Sequence, residues 1–93
     1  MLYMMEWKIR TGCFEKAHDR FLETGAPFPE GSTLVGRWHA PGSVNGWLLV
    51  EADSPEAAYI HAVEWGDVCD WQTTPVSTDE QAAVASAAAR ERK

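Results

Sequence analysis

Cysteine is scarce in this chain, and cations are outnumbered by anions. Cys13 and Cys69 stand alone with no CxxC pair, so neither a disulfide framework nor a thiolate metal site can be read from them. A reduced, cytoplasmic protein is the simpler expectation. Eight Lys and Arg against 14 Asp and Glu give a formal charge of -6, which repels phosphate backbones and anionic bilayers and argues against nucleic-acid and membrane partners. The apolar opening MLYMM stops at Glu6, too short for a signal-peptide core or a membrane span. Phosphate-loop and dinucleotide fingerprints are absent, and so is any internal repeat. The histidines, His18, His39 and His61, fall on different segments with no HxH or HxxxH spacing, so no metal and no cofactor is expected.

Tryptophan, by contrast, is abundant, with five in 93 residues. A chain of this length buries only roughly 60 to 65% of its unfolded surface. So much aromatic area therefore points to a core that is extended by a partner subunit or opened by a pocket.

Hydrophobic spacing divides the chain into elements. Residues 2–10 alternate at period two, with Tyr3, Met5, Trp7 and Ile9 on one side. From Cys13 to Thr24 the period becomes helical, and Gly25 supplies a stop. After the APFPEGS loop, 33–40 and 46–53 read as a hairpin around PGSVN. Ser54-Pro55-Glu56 opens a second helix running through Trp65. A strand over 68–76 is followed by a Ser77-to-Glu80 capping box and an alanine-rich helix. The order βαββαβ specifies an α+β, ferredoxin-like domain over residues 1–77, a four-stranded antiparallel sheet with two helices on one face, and an added C-terminal helix or tail over 78–93.

Polarity sets the expected hairpin register. Pairing Trp38 with Leu48 puts Leu34, Gly36, Trp38 and Ala40 on the helix side and sends Arg37, His39, Trp47, Leu49 and Glu51 to the opposite face. That second face remains half apolar, which suits a subunit interface. There Arg37 and Glu51 would form an ion pair, or Arg37 would bind an anion.

RFLETGAPFPEGSTLVGRWHA (20–40), LLVEADSPEAAYIHAVEWGDVCDWQTTPV (48–76) and the MLYMMEW opening resemble a family of short bacterial and cyanobacterial proteins, a domain of unknown function grouped by fold with the dimeric αβ-barrels. The resemblance covers nearly the whole chain up to the tail. It implies a homodimer in which two such sheets close a barrel, with a ligand held between each sheet and its own helices. Superfamily members include cofactor-free monooxygenases, haem-degrading enzymes, small isomerases and proteins that only bind.

Candidate chemistry gathers under the helices. His18 lies at helical spacing among Phe14, Phe21 and Leu22, and His61 among Ala58, Ala62 and Trp65. Both look towards Trp7, Trp38 and Trp71, so these residues with Trp65 outline an aromatic ligand site. The plainer reading fills the core with tryptophan and leaves both histidines at its edge. Binding of a small hydrophobic or aromatic ligand without turnover is the leading expectation. One alternative is a cofactor-independent monooxygenase or isomerase-like enzyme with His61, or else His18, as the proton acceptor. The other is a structural or regulatory subunit docking through the tail.

Overall fold

The structure is a computed structural model that describes residues 1–92. Lys93, the last residue of the expected tail, lies outside the described residues. The chain runs β1 (Leu2–Ile9), α1 (Phe14–Thr24), β2 (Ser32–His39), β3 (Asn45–Ala52), α2 (Pro55–Glu64), β4 (Cys69–Val76) and α3 (Asp79–Glu91). The strands make one antiparallel sheet in the order β2-β3-β1-β4, the ferredoxin-like α+β topology that the element order specifies.

Alternation decides which side of the sheet is covered. Tyr3, Met5, Trp7 and Ile9 of β1 and Leu48, Val50 and Ala52 of β3 are buried. Pairing of Tyr3 with Val50, Met5 with Leu48 and Trp7 with Trp71 puts them on one face. Ala17 of α1 and Ala57, Ala58 and His61 of α2 close over it. Helix α1 ends where Gly25, at φ 70°, donates its N–H to the Phe21 carbonyl, a conformation that favours glycine. Across the helices, Arg20 clamps Asp67 through two bonds of 2.9 and 2.6 Å and also reaches the Glu64 carbonyl at 3.0 Å. Lys16 joins Asp67 at 3.0 Å. The hydrogen bonds from Arg20 and Lys16 hold the Asp67 carboxyl well below the usual carboxylate range.

Helix α3 is capped one residue later than expected. The Thr78 hydroxyl accepts from the Gln81 N–H and the Gln81 side chain accepts from the Thr78 N–H, so the reciprocal box starts at Thr78, after β4 has run to Val76. No residue of α3 is buried. The radius of gyration, 15.8 Å, exceeds the roughly 12 Å of a compact chain of this length, as a projecting helix requires.

The hairpin differs from expectation at its centre. Leu34 pairs with Val50 on the helix face, but the register shifts between Leu34 and Gly36, and Trp38 then faces Trp47 rather than Leu48. The extra residue is Val35, a β-bulge, and one inserted residue reverses the faces of everything beyond it. Arg37, paired with Leu48, and His39, paired with Gly46, therefore turn under the helices, whereas Gly36 and Trp38 turn to the open face. The expected placement of Trp38 in the ligand site, and of Arg37 and His39 in the interface, is corrected by this bulge. Trp47, Leu49 and Glu51 stay on the open face, as expected.

Two glycines record the packing. A Cβ at Gly46 would strike the Trp7 indole and come within 2.5 Å of the Trp38 carbonyl, whereas at Gly36 it would meet only the indole of Trp38 at 2.5 Å. Gly46→Ala should therefore cost about 1–3 kcal/mol in urea denaturation. Gly36→Ala should cost less, because the half-exposed Trp38 ring can swing away.

Candidate functional site

Between α1, α2 and the sheet lies a cleft of about 220 Å³. Its walls are Trp7, Ile9 and Leu48 from the sheet floor, Phe21 and Leu22 from α1, and Trp65 and Trp71 at the other end. Five of the six residues expected to form a ligand site, Trp7, His18, His61, Trp65 and Trp71, line it together. The sixth, Trp38, is 55% exposed on the opposite face. The volume is somewhat below the usual range for drug-sized ligands, about 300 Å³ and upwards. It exceeds the roughly 150 Å³ of an apolar cavity that accepts benzene, so a single aromatic ring fits.

His61 is the most enclosed polar group, 1% exposed. Its imidazole stacks on Phe28 at 3.8 Å and 11° and meets the Trp71 ring edge-on at 5.5 Å. Burial, with a contribution from the Arg37 cation and some opposition from the Pro27 carbonyl, pushes its pKa down to about 4. The imidazole is therefore neutral at pH 7. Among the described residues three buried nitrogens have no hydrogen-bond partner, His61 Nδ1, His18 Nε2 and Trp71 Nε1, and all three belong to residues lining this cleft. Unsatisfied buried donors and acceptors cost about 1–3 kcal/mol each, so each of them calls for a partner such as water, an ion or a ligand.

Arg37, His39 and Phe28 were missed as site residues. Arg37 donates to the Ala26 carbonyl at 2.9 Å and the Gly25 carbonyl at 3.4 Å, and its guanidinium lies over Phe21 at 5.6 Å and Phe28 at 6.0 Å. His39 meets Trp7 edge-on at 5.1 Å and its Nδ1 lies 3.1 Å from the Ser43 hydroxyl. Burial, helped by Arg37 and His18, lowers the His39 pKa. The bulge hid Arg37 and His39 from period-two reasoning. Phe28 lies between two prolines in a segment readable only as loop, and its aromatic character was the one signal that it packs inward.

The cysteines offer no nucleophile here. Cys69 lines the cleft with its thiol pushed up to about 11 by burial, so it stays protonated at neutral pH. Cys13 caps α1 with a free thiol. Among the described residues no three of His, Cys, Asp and Glu gather closely enough to hold a metal ion.

A protein-family model described as Domain of unknown function (DUF3303) matches residues 1–90. None of the curated proteins matches the chain. The crystal structure of SCO4226 from Streptomyces coelicolor A3(2) aligns with a TM-score of 0.42 at 20% identity, over 82% of this chain and 99% of that one. A likeness of that extent carries no functional inference, and the fold rests on the strand order and register above.

The buried imidazole makes the fold pH-sensitive. A histidine that is easier to protonate when unfolded stabilises the folded state fully above about pH 6.5 and loses that contribution as pH falls towards 4. The shift corresponds to roughly 3 kcal/mol. Urea denaturation at pH 7 and pH 4.5 should show most of this loss in the parent, and His61→Gln should flatten it. Asp67 acts in a lower window, because its carboxyl is depressed from 3.8 and its contribution is lost only as pH falls below that value.

Proposed function

The chain belongs to the DUF3303 family, whose description names no activity, and we propose from the cleft itself that the protein binds a small hydrophobic or aromatic ligand between its sheet and its helices. The observation that carries this reading is the set of three partnerless buried nitrogens in one tryptophan-walled cleft. Apolar walls supply affinity by burial, and the convergent polar atoms orient the ligand. Proton abstraction is less well supported. An imidazole with a pKa near 4 is a weak base at neutral pH, whereas an effective general base titrates near the working pH.

Trp7, Trp65 and Trp71 line the site, so ligand entry should change tryptophan emission. Saturation at about 100 times Kd should raise stability by about 2.7 kcal/mol. A panel of indole, menadione, naphthol and medium-chain fatty acids that left both emission and melting temperature unchanged would defeat the reading. Trp71→Phe should remove much of the emission response in a ligand that does bind.

The proposed assembly is a homodimer of the dimeric αβ-barrel type, formed by the open sheet face. Val35 at 57% and Trp38 at 55% exposure, with Trp47 at 39%, leave an apolar strip there, beside the half-buried Leu2, Met4 and Leu49. Water-facing apolar area of this kind is what a second sheet would cover. Light scattering at micromolar concentration should give twice the chain mass, and Trp47→Glu should give a folded monomer. A parent that scatters as a monomer would refute the assembly. Two free cysteines fit a cytoplasmic location, and no helix among the described residues is long and apolar enough to cross a membrane. The tail over 78–93, whose helix α3 (Asp79–Glu91) has no buried residue, is proposed as an appendage to the 1–77 domain that plays no part in the cleft.

A further inference from the structure

We propose that the ligand of this cleft is an anion, a small organic acid whose apolar body lies against the tryptophan walls and whose carboxylate meets the Arg37 guanidinium. The proposal rests on the reading of the cleft as a ligand site and adds the charge of what it holds.

Charge is segregated within the molecule. The chain has 14 acidic residues and a formal charge of -6, yet among the described residues no Asp or Glu lines the cleft, while Arg37, His18, His39 and His61 all do. Elsewhere in the molecule Arg20 and Lys16 pair with Asp67 and Arg10 pairs with Asp70. Arg37 has no carboxylate within 4.0 Å among the described residues and is held only by the carbonyls of Gly25 and Ala26. Half-buried, it has its pKa lowered by desolvation, so its charge is under-compensated. Two carbonyls also leave guanidinium donors unused, since the group carries five N–H bonds in a planar fork that matches a carboxylate.

The partnerless atoms agree in sign. Trp71 Nε1 can only donate, and an ionised carboxylate can only accept. His61, neutral at pH 7, carries a single ring N–H whose position is set by its tautomer. A backbone-pinning role alone would account for the two carbonyl bonds of Arg37. It would not account for an acid-free lining or for an orphaned indole N–H in the same cleft.

Isothermal calorimetry on the full chain at pH 7 tests this with phenylacetate, its neutral isostere phenylacetamide, and hexanoate. Phenylacetate should bind at least about ten-fold more tightly than phenylacetamide, the scale of one charge-assisted pair. Arg37→Met should bring the two close to equal. The phenylacetate-to-phenylacetamide ratio decides the anion assignment, and hexanoate tests whether an aliphatic body fits the same cleft. Equal binding of phenylacetate and phenylacetamide would overturn the anion assignment and leave the hydrophobic cleft standing. Binding of none of the three would overturn both. If Arg37→Met unfolds because the Gly25–Ala26 turn is released, the acid-against-amide ratio of the parent still decides, and Arg37→Lys, which keeps the charge, should retain part of the preference. A preference undiminished in a folded Arg37→Met would also refute the assignment.

Discussion

One inserted residue in an edge strand organises the rest of this molecule. Up to Leu34, β2 keeps the alternation of its neighbours, with Leu34 opposite the buried Val50. Val35 interrupts the ladder, and beyond it every side chain changes sides. Without that interruption the guanidinium of Arg37 and the imidazole of His39 would lie on the open sheet face and the Trp38 indole would fill the cleft. With it, a space walled by indoles gains the Arg37 guanidinium and the His39 imidazole at its edge. Edge strands tolerate such bulges because only one neighbour must adjust, and β2 is the edge of the sheet.

The consequences reach the loop that precedes the strand. Because Arg37 turns inward, it can bond the carbonyls of Gly25 and Ala26. It thereby fixes a turn in which Ala26 has a positive φ of 47°, an uncommon conformation for a residue with a Cβ. The same turn delivers Phe28 onto the His61 ring. On the far side, Arg20 lies over Trp65 at 5.1 Å while it clamps Asp67, so α1 is tied to the turn that follows α2. The two arginines thus have opposite duties. Arg20 is saturated by a carboxylate, and Arg37 is not.

Burial decides the chemistry inside. Desolvation holds His61 neutral and the Cys69 thiol protonated, so the site presents hydrogen-bonding groups and aromatic faces rather than a strong base or a nucleophile. These properties suit recognition better than bond breaking. They also carry a stability cost, because a protein with orphaned buried nitrogens has given up hydrogen bonds that water would supply.

The amino-acid sequence by itself determined the element order, the sheet topology, the helical faces of His18 and His61 and the tryptophans that meet them at Trp7, Trp65 and Trp71. Each of these follows from a local period, and local periods survive as long as one face of an element is buried. The capping box shifted by a residue because Ser77–Glu80 and Thr78–Gln81 satisfy the same spacing, and only the end of β4 at Val76 selects between them. What tertiary structure alone decided is where the alternation breaks. GRWHA places Arg37 and His39 on one side and Trp38 on the other, but which side is covered depends on a bulge whose one sign in the string is the mid-strand Gly36. The bulge is selected by contacts from distant parts of the chain: carbonyls twelve and eleven residues upstream for Arg37, and the Trp7 ring on another strand for His39. A period of two records that neighbours differ in face; only the packed molecule supplies the partners that make one face the inside.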